Sequence, residues 1–276
     1  MNGWGRAGRW VAATLAAAVL FVAAGCASVQ TTAPGAIGVQ RRQQMLVSEQ
    51  QIDGAAQSAY AKELSSARTA GKLNADAPLL ARVRRITERL IPQTAVFRPE
   101  APGWQWEVNV QSTPDLNAYC MPGGKIMVYS GLVAKLELSD AELAAVIGHE
   151  MAHALREHTR ERVSRAYAQN LVLAGVAALA GLGQGAADLA GRISEVTFQL
   201  PHSRAQEEEA DIIGLELMAR AGYDPAGAAG VWRKMASAEK SAPPQFLSTH
   251  PSSASRIADL QARIPVVQPL YEATRH

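Results

Sequence analysis

The sequence predicts an α+β fold, mostly helical with one small antiparallel sheet. Three observations carry that expectation. Apolar residues recur at helical spacing over much of the chain, with Leu79, Leu80, Val83, Ile86 and Leu90 on one face and Leu143, Val146 and Ile147 opening a second such face. Between them the period changes to two, as Trp104, Trp106, Val108 and Val110 alternate with Gln105, Glu107 and Asn109, and Lys125 to Tyr129 reads as a second strand. An H-E-x-x-H sequence, His149-Glu150-Met151-Ala152-His153, falls inside the second helical stretch.

The chain has 276 residues, 48% hydrophobic and 19% charged, enough for a well-buried core. With Lys+Arg 27 against Asp+Glu 25, a formal charge of +2 shows no clustered basic excess, so nucleic acid is excluded as a partner. Residues 1–25 read as an export signal: Arg6 and Arg9 precede an uncharged apolar run from Trp10 to Ala24. That run, about 15 residues, falls short of the about 20 that span a bilayer. Ala23-Ala24-Gly25-Cys26 resembles the lipobox of bacterial lipoproteins, with Ala23 where that pattern usually has Leu; Cys26 would then be lipidated and become the first residue. Ordinary cleavage nearby, leaving Cys26 a thiol, is the alternative. Ala27 and Ser28 bring no acidic residue, which resembles lipoproteins sorted to the outer membrane, on its periplasmic face. Residues 26–38, small and unpatterned, read as a tether, 39–265 as the folded domain and 266–276 as a tail. Cys120, between Tyr119 and Met121, reads as a small buried hydrophobe.

Along the domain, Val39 to Arg68 has helical spacing, and Pro92 ends the helix of Pro78 to Leu90. Pro114, Asn117, Pro122, Gly123 and Gly124 mark a turn-rich connection between the two strands. Ser139 and Glu142 form a capping box for a helix expected to run through His149 to about Arg162. Leu171 to Leu182 is apolar but, at twelve residues, too short to span a membrane; it packs internally or rests on lipid, with a loop at Gly183 to Gly185. Ser203 caps a helix through Gly222, Asp224-Pro225 starts another, and Ser252 to Ile264 forms the last.

Residues four apart on a helix share a face, so His149 and His153 can converge on one ion at about 2 Å. Glu150 projects about 100° round the helix from His149, towards a water beside the metal, the position of a general base. The motif arises by chance in roughly one unrelated chain per hundred, so a partner is needed. Glu207-Glu208-Glu209-Ala210-Asp211 supplies it on a helix downstream: Glu207 can complete the ligand set while Asp211, on the same face, accepts the free ring N–H of a ligand histidine. Glu208 reads as surface and Glu209 is left open. His158 and His202 carry no assigned role.

With these motifs in order, the chain resembles the HtpX-like and Oma-type gluzincin metallopeptidases, a family that also includes the CAAX prenyl proteases. The resemblance spans about Leu73 to Leu260 and rests on Asn117-Ala118 before Pro122-Gly123-Gly124-Lys125-Ile126, the HEMAH sequence, Ser203-Arg204 leading to Glu207-x-Glu209-Ala210-Asp211, and Thr249-His250-Pro251 before Ser255-Arg256-Ile257. It is nearest to the periplasmic, often lipid-anchored bacterial branch. It implies a mostly helical gluzincin-type domain with one Zn2+ per chain, Glu207 as third ligand, and endopeptidase action on unfolded or misassembled envelope proteins. His250 is implied to face the metal, as a removable fourth ligand or as a donor to the developing oxyanion. The strand Lys125 to Tyr129 is expected to be an edge on which an extended substrate pairs, with Asn117, Gly124, Lys125 and Ile126 as substrate-binding positions. A membrane-tethered chaperone with latent or no proteolysis is the alternative reading, and a zinc hydrolase of non-peptide bonds a third.

Overall fold

The computed structural model describes residues 27–178, 189–239, 245–250 and 254–275. Residues 1–26, including the export signal and Cys26, lie outside this set, as do 179–188 of the apolar segment and its glycine loop. Among the described residues, two short strands, β1 (Ala27–Val29) and β2 (Gln43–Met45), pair antiparallel and precede helices α1 (Glu49–Thr69) and α2 (Ala77–Leu90). Strands β3 (Glu107–Gln111), β4 (Ala118–Met121) and β5 (Lys125–Tyr129) follow, then α3 (Ser130–Lys135), α4 (Asp140–Leu155), α5 (His158–Ala178) and α6 (Leu189–Phe198). The chain closes with α7 (Arg204–Arg220), α8 (Ala226–Glu239), α9 (Gln245–Thr249) and α10 (Ala254–Glu272).

The fold is mostly helical with small sheets, as the sequence predicts, but the three-stranded sheet is mixed. Its order is β3-β5-β4, with β3 parallel and β4 antiparallel to β5. The strand expected to be an edge is therefore the central one, hydrogen-bonded on both sides. The apolar run along Lys125–Tyr129, buried at every position, reports burial but not which backbone edge is used. Lys125 Nζ donates to Gln105 O and the Ile126 carbonyl accepts from Tyr60, so both residues are committed inside the domain. At Gly124, with φ +80°, an added Cβ would stand 2.7 Å from the Trp106 ring. The substrate-edge assignment to Lys125 and Ile126 is corrected accordingly: the outer strands of this sheet are β3 and β4, and among the described residues β4 pairs with no strand but β5.

Capping sets the helix starts. Ser139 and Glu142 form the reciprocal box at α4, and Ser203 with Gln206 does the same at α7. Helix α4 is buried from Glu142 through Leu155, so it runs through the centre of the domain. It does not reach Arg162: Arg156 and Glu157 form a break, Glu157 adopting φ +52°, and α5 starts afresh at His158. Glu157 is held there by Arg98 and Arg160, at 2.9 and 2.6 Å. At the other end, α10 continues past Ile264 to Glu272 despite Pro265 and Pro269, because Val267 is fully buried and Leu270 and Tyr271 pack on the core.

The stretch read as a tether is also packed. Ala33 N–H bonds to the Phe97 carbonyl, Ala36 N–H to Glu216, and Thr32 is buried. Its small polar residues are tied down by hydrogen bonds rather than an apolar stripe, which is why no period announces it.

Candidate metal centre

The two chemistry-bearing segments meet where α4 crosses α7. Gly148 and Gly214 make the crossing close: a Cβ on Gly214 would stand 2.7 Å from the His149 amide nitrogen, and one on Gly148 would stand 3.0 Å from the Gly214 carbonyl. Backbones this near place side chains of the two helices within ligand distance. His149 Nε2 and His153 Nε2 lie 3.1 Å apart, and Glu207 Oε2 and Oε1 lie 3.6 and 3.5 Å from them respectively. Asp211 Oδ1 is 3.1 Å from His149 Nδ1, on the far side of that ring. All four side chains are almost wholly buried.

His250 joins the same cluster. Its Nδ1 is 3.0 Å from Glu207 Oε1 and 3.3 Å from His149 Nε2, and its Nε2 is 3.6 Å from Glu150 Oε1. Its backbone N–H bonds to the Phe246 carbonyl, and the Phe246 ring stacks on its imidazole. His202 stacks on the other side at a centroid distance of 4.9 Å. A narrow cleft runs from these rings to Asn117, Ala118 and Cys120, so β4 and Asn117 border the cluster. Glu208 is outside, paired with Arg263 at the surface.

The electrostatics suit a cation. Burial pushes the Glu150 carboxyl up to about 8, and its Oε1 has no hydrogen-bond partner. Burial also pushes His153 well below its ordinary value, so its ring is neutral with a lone pair to offer. Glu207 and Asp211 are raised by burial but held below the usual carboxylate range, Glu207 by His250, His149 and Arg256 and Asp211 by Arg256 and His149. Donors about 2 Å from one ion at tetrahedral angles stand about 3.3 Å apart, and the separations of 3.1, 3.5 and 3.6 Å fit that figure. Two imidazole nitrogens facing each other with a carboxylate form the nitrogen and oxygen set of a catalytic zinc site. The residues present therefore fit a zinc ion, and its charge would draw the Glu150 carboxyl back down.

Several contributors escaped the sequence reading. Arg256 reaches Glu207 Oε2 at 2.7 Å, clamps both Asp211 oxygens at 2.7 and 2.8 Å, and lies over Trp232 at 3.7 Å. Its signal was present, as the basic residue of the Ser255-Arg256-Ile257 motif. His158 and His202, left without a role, both have rings against His153, with centroids 4.9 and 4.0 Å away. Cys120 is buried and its thiol pushed well up by burial, which makes it the small hydrophobe expected.

The sequence profile of peptidase family M48 matches residues 79–264. The mitochondrial metalloendopeptidase OMA1 of Schizosaccharomyces pombe is 34% identical over 219 residues, 77% of this chain and 61% of its own length. The Arabidopsis thaliana OMA1 is 43% identical over 154 residues, 56% of this chain and 30% of its own. The metalloprotease LoiP of Escherichia coli is 33% identical over 156 residues, 56% and 61% of the two chains. The chain thus spans less than two thirds of the length of each of these relatives.

Proposed function

The chain belongs to peptidase family M48, and from that premise we propose that it is a zinc-dependent endopeptidase of the cell envelope that cleaves unfolded or misassembled envelope proteins. In this reading His149, His153 and Glu207 hold one zinc ion, and Glu150 is the general base. The observation that carries it is the convergence of three buried donors at tetrahedral spacing beside a buried carboxyl whose Oε1 lacks a hydrogen bond.

A zinc ion held there would polarise a substrate carbonyl and acidify a bound water. Glu150 is placed to act as the base that accepts a proton from water and returns it to the leaving amine. Asp211 fixes the ring of His149 through Nδ1, and Arg256 holds both Asp211 and Glu207 in place. The outer edge of β4, which pairs with no further strand among the described residues and lies next to the cluster, offers backbone groups to an extended chain, and Asn117 just before it borders the same cleft. Pairing by backbone reads extended conformation more than sequence, which supports unfolded clients as the substrate class.

His250 stands within the donor set and is only 3% exposed, so this arrangement is closed to a peptide. It would act either as a removable fourth ligand whose displacement admits water and substrate, or as a donor to the developing oxyanion. Lipidation of Cys26 would anchor the chain; with β1 starting at Ala27, the domain would rest against the membrane. No helix of the described residues is long and apolar enough to cross a bilayer.

The test is cleavage of casein by wild type, Glu150→Gln and His250→Ala, with zinc content measured for each. Wild type is expected to cleave, Glu150→Gln to keep about one zinc yet lose at least about a hundredfold in rate, and His250→Ala to change the rate. One bound zinc with no cleavage by any variant would favour the tethered-chaperone reading instead.

A further inference from the structure

The nitrogen of His153 that faces away from the donor cluster is also engaged. Its Nδ1 lies 2.8 Å from His158 Nδ1, and His158 Nε2 lies 2.9 Å from Glu209 Oε2. This contact exists only because the helix breaks. Five positions on along a continuous helix, residue 158 would point about 140° away from His153; the turn at Arg156–Glu157 brings its ring back. Glu209 is in turn clamped by two guanidinium groups. The wholly buried Arg156 reaches Glu209 Oε1 at 2.9 Å, and Arg41, from the segment ahead of the first helix, reaches Oε1 and Oε2 at 2.9 Å each.

The hydrogens can be placed by elimination. A carboxylate flanked by two arginines only accepts, so His158 Nε2 carries the hydrogen. The neutral ring then has a lone pair on Nδ1, and His153 must be the donor across the 2.8 Å contact. That leaves His153 Nε2 with its lone pair aimed at Glu207 and His149.

We propose that His158 is a positioning residue for His153, fixing its ring and tautomer for metal binding, and that Glu209, Arg156 and Arg41 hold His158, making the N-terminal segment part of the metal centre's support. This rests on His153 being a ligand. A second cation among His153, His158 and His202 is disfavoured, because the Arg162 guanidinium lies 3.1 Å from His202 Nε2.

Two measurements on the full chain test it. Nitrogen-15 NMR of the metal-free wild type should show His153 protonated at Nδ1 and His158 at Nε2; the opposite tautomer of His153 overturns the proposal without any mutation. Competition with a chromophoric chelator should show one zinc per wild-type chain, and His158→Phe should weaken it by about 10- to 100-fold. His158→Asn, which keeps an acceptor near the Nδ1 position, should recover most of that loss, and Arg41→Gln should weaken binding about threefold. Wild-type affinity in His158→Phe, or equal losses in the Phe and Asn variants, would sink the idea. A wild type that takes up no zinc would count against the ligand assignment itself, while the NMR result still decides the hydrogen bond.

Discussion

His149 and His153 sit one turn apart on α4, yet they are backed by different means. Behind His149 stands a carboxylate, Asp211, on the helix that also carries Glu207, with Arg256 closing the group. Behind His153 stands another imidazole, then Glu209, then a guanidinium from the far end of the chain. The first support is compact and fully buried; the second is a longer series whose outer end, Arg41, remains a third exposed. Substitutions on the first side should therefore cost more than those on the second.

The largest effect is expected from Arg256→Gln, which leaves Glu207 and Asp211 buried without their cation. A loss of about 4 kcal/mol is expected in urea unfolding of the metal-free protein, and a loss smaller than that of Glu161→Gln would reverse the comparison. Gly214→Ala comes next, because its methyl group would meet the α4 backbone at 2.7 Å. It should destabilise by about 2–3 kcal/mol and lower zinc affinity, since both histidines ride on that crossing; an unchanged affinity would mean the helices can part without moving the donors.

On the His153 side the counterpart is Glu161, which also binds Arg41. Burial pushes its carboxyl up, but hydrogen bonds from Arg41, Gln43 and Gln206 outweigh this and hold it at about 2. A carboxyl held below its unfolded value of about 4.3 contributes stability that is complete above that value and lost as pH falls towards about 2. Glu161→Gln should cost about 2 kcal/mol at pH 7, less than a fully buried pair because water reaches Arg41. It should also flatten the loss of stability of the metal-free protein between pH 4.5 and 2, and an unaltered acid profile would count against the pairing. The smallest effect belongs to Ser139→Ala, which removes the α4 cap for about 1 kcal/mol and should leave zinc affinity alone, separating helix stability from either support.

The contrast also marks what the sequence could disclose. On the His149 side all but Arg256 is local in pattern: His149 and His153 at four apart, Glu207 and Asp211 at four apart, each helix announced by a capping box. Those positions meet as the spacing required. The His153 side depends on a helix break at Arg156–Glu157, two residues that ordinarily favour helix; Glu157 is paired there with Arg98 from a distant part of the chain and with Arg160 three positions on. Arg41 lies where the spacing predicted a helix that forms only from Glu49, and its partners are 120 and 168 residues away. The strand order was hidden for a similar reason, because the parallel pairing of β3 with β5 carries no mark in either strand.

The Arg41 clamp has a further consequence for the order of events at the ribosome. Glu209 follows Arg41 by 168 residues, so at about 5–20 residues per second the segment waits on the order of ten seconds before its partner exists. The nascent chain thus carries both histidines of α4 well before it carries the carboxylates that complete the centre. The donor set is complete only once Glu207 has been added, 54 residues after His153, so until then the two imidazoles have no carboxylate from the second helix to share an ion with.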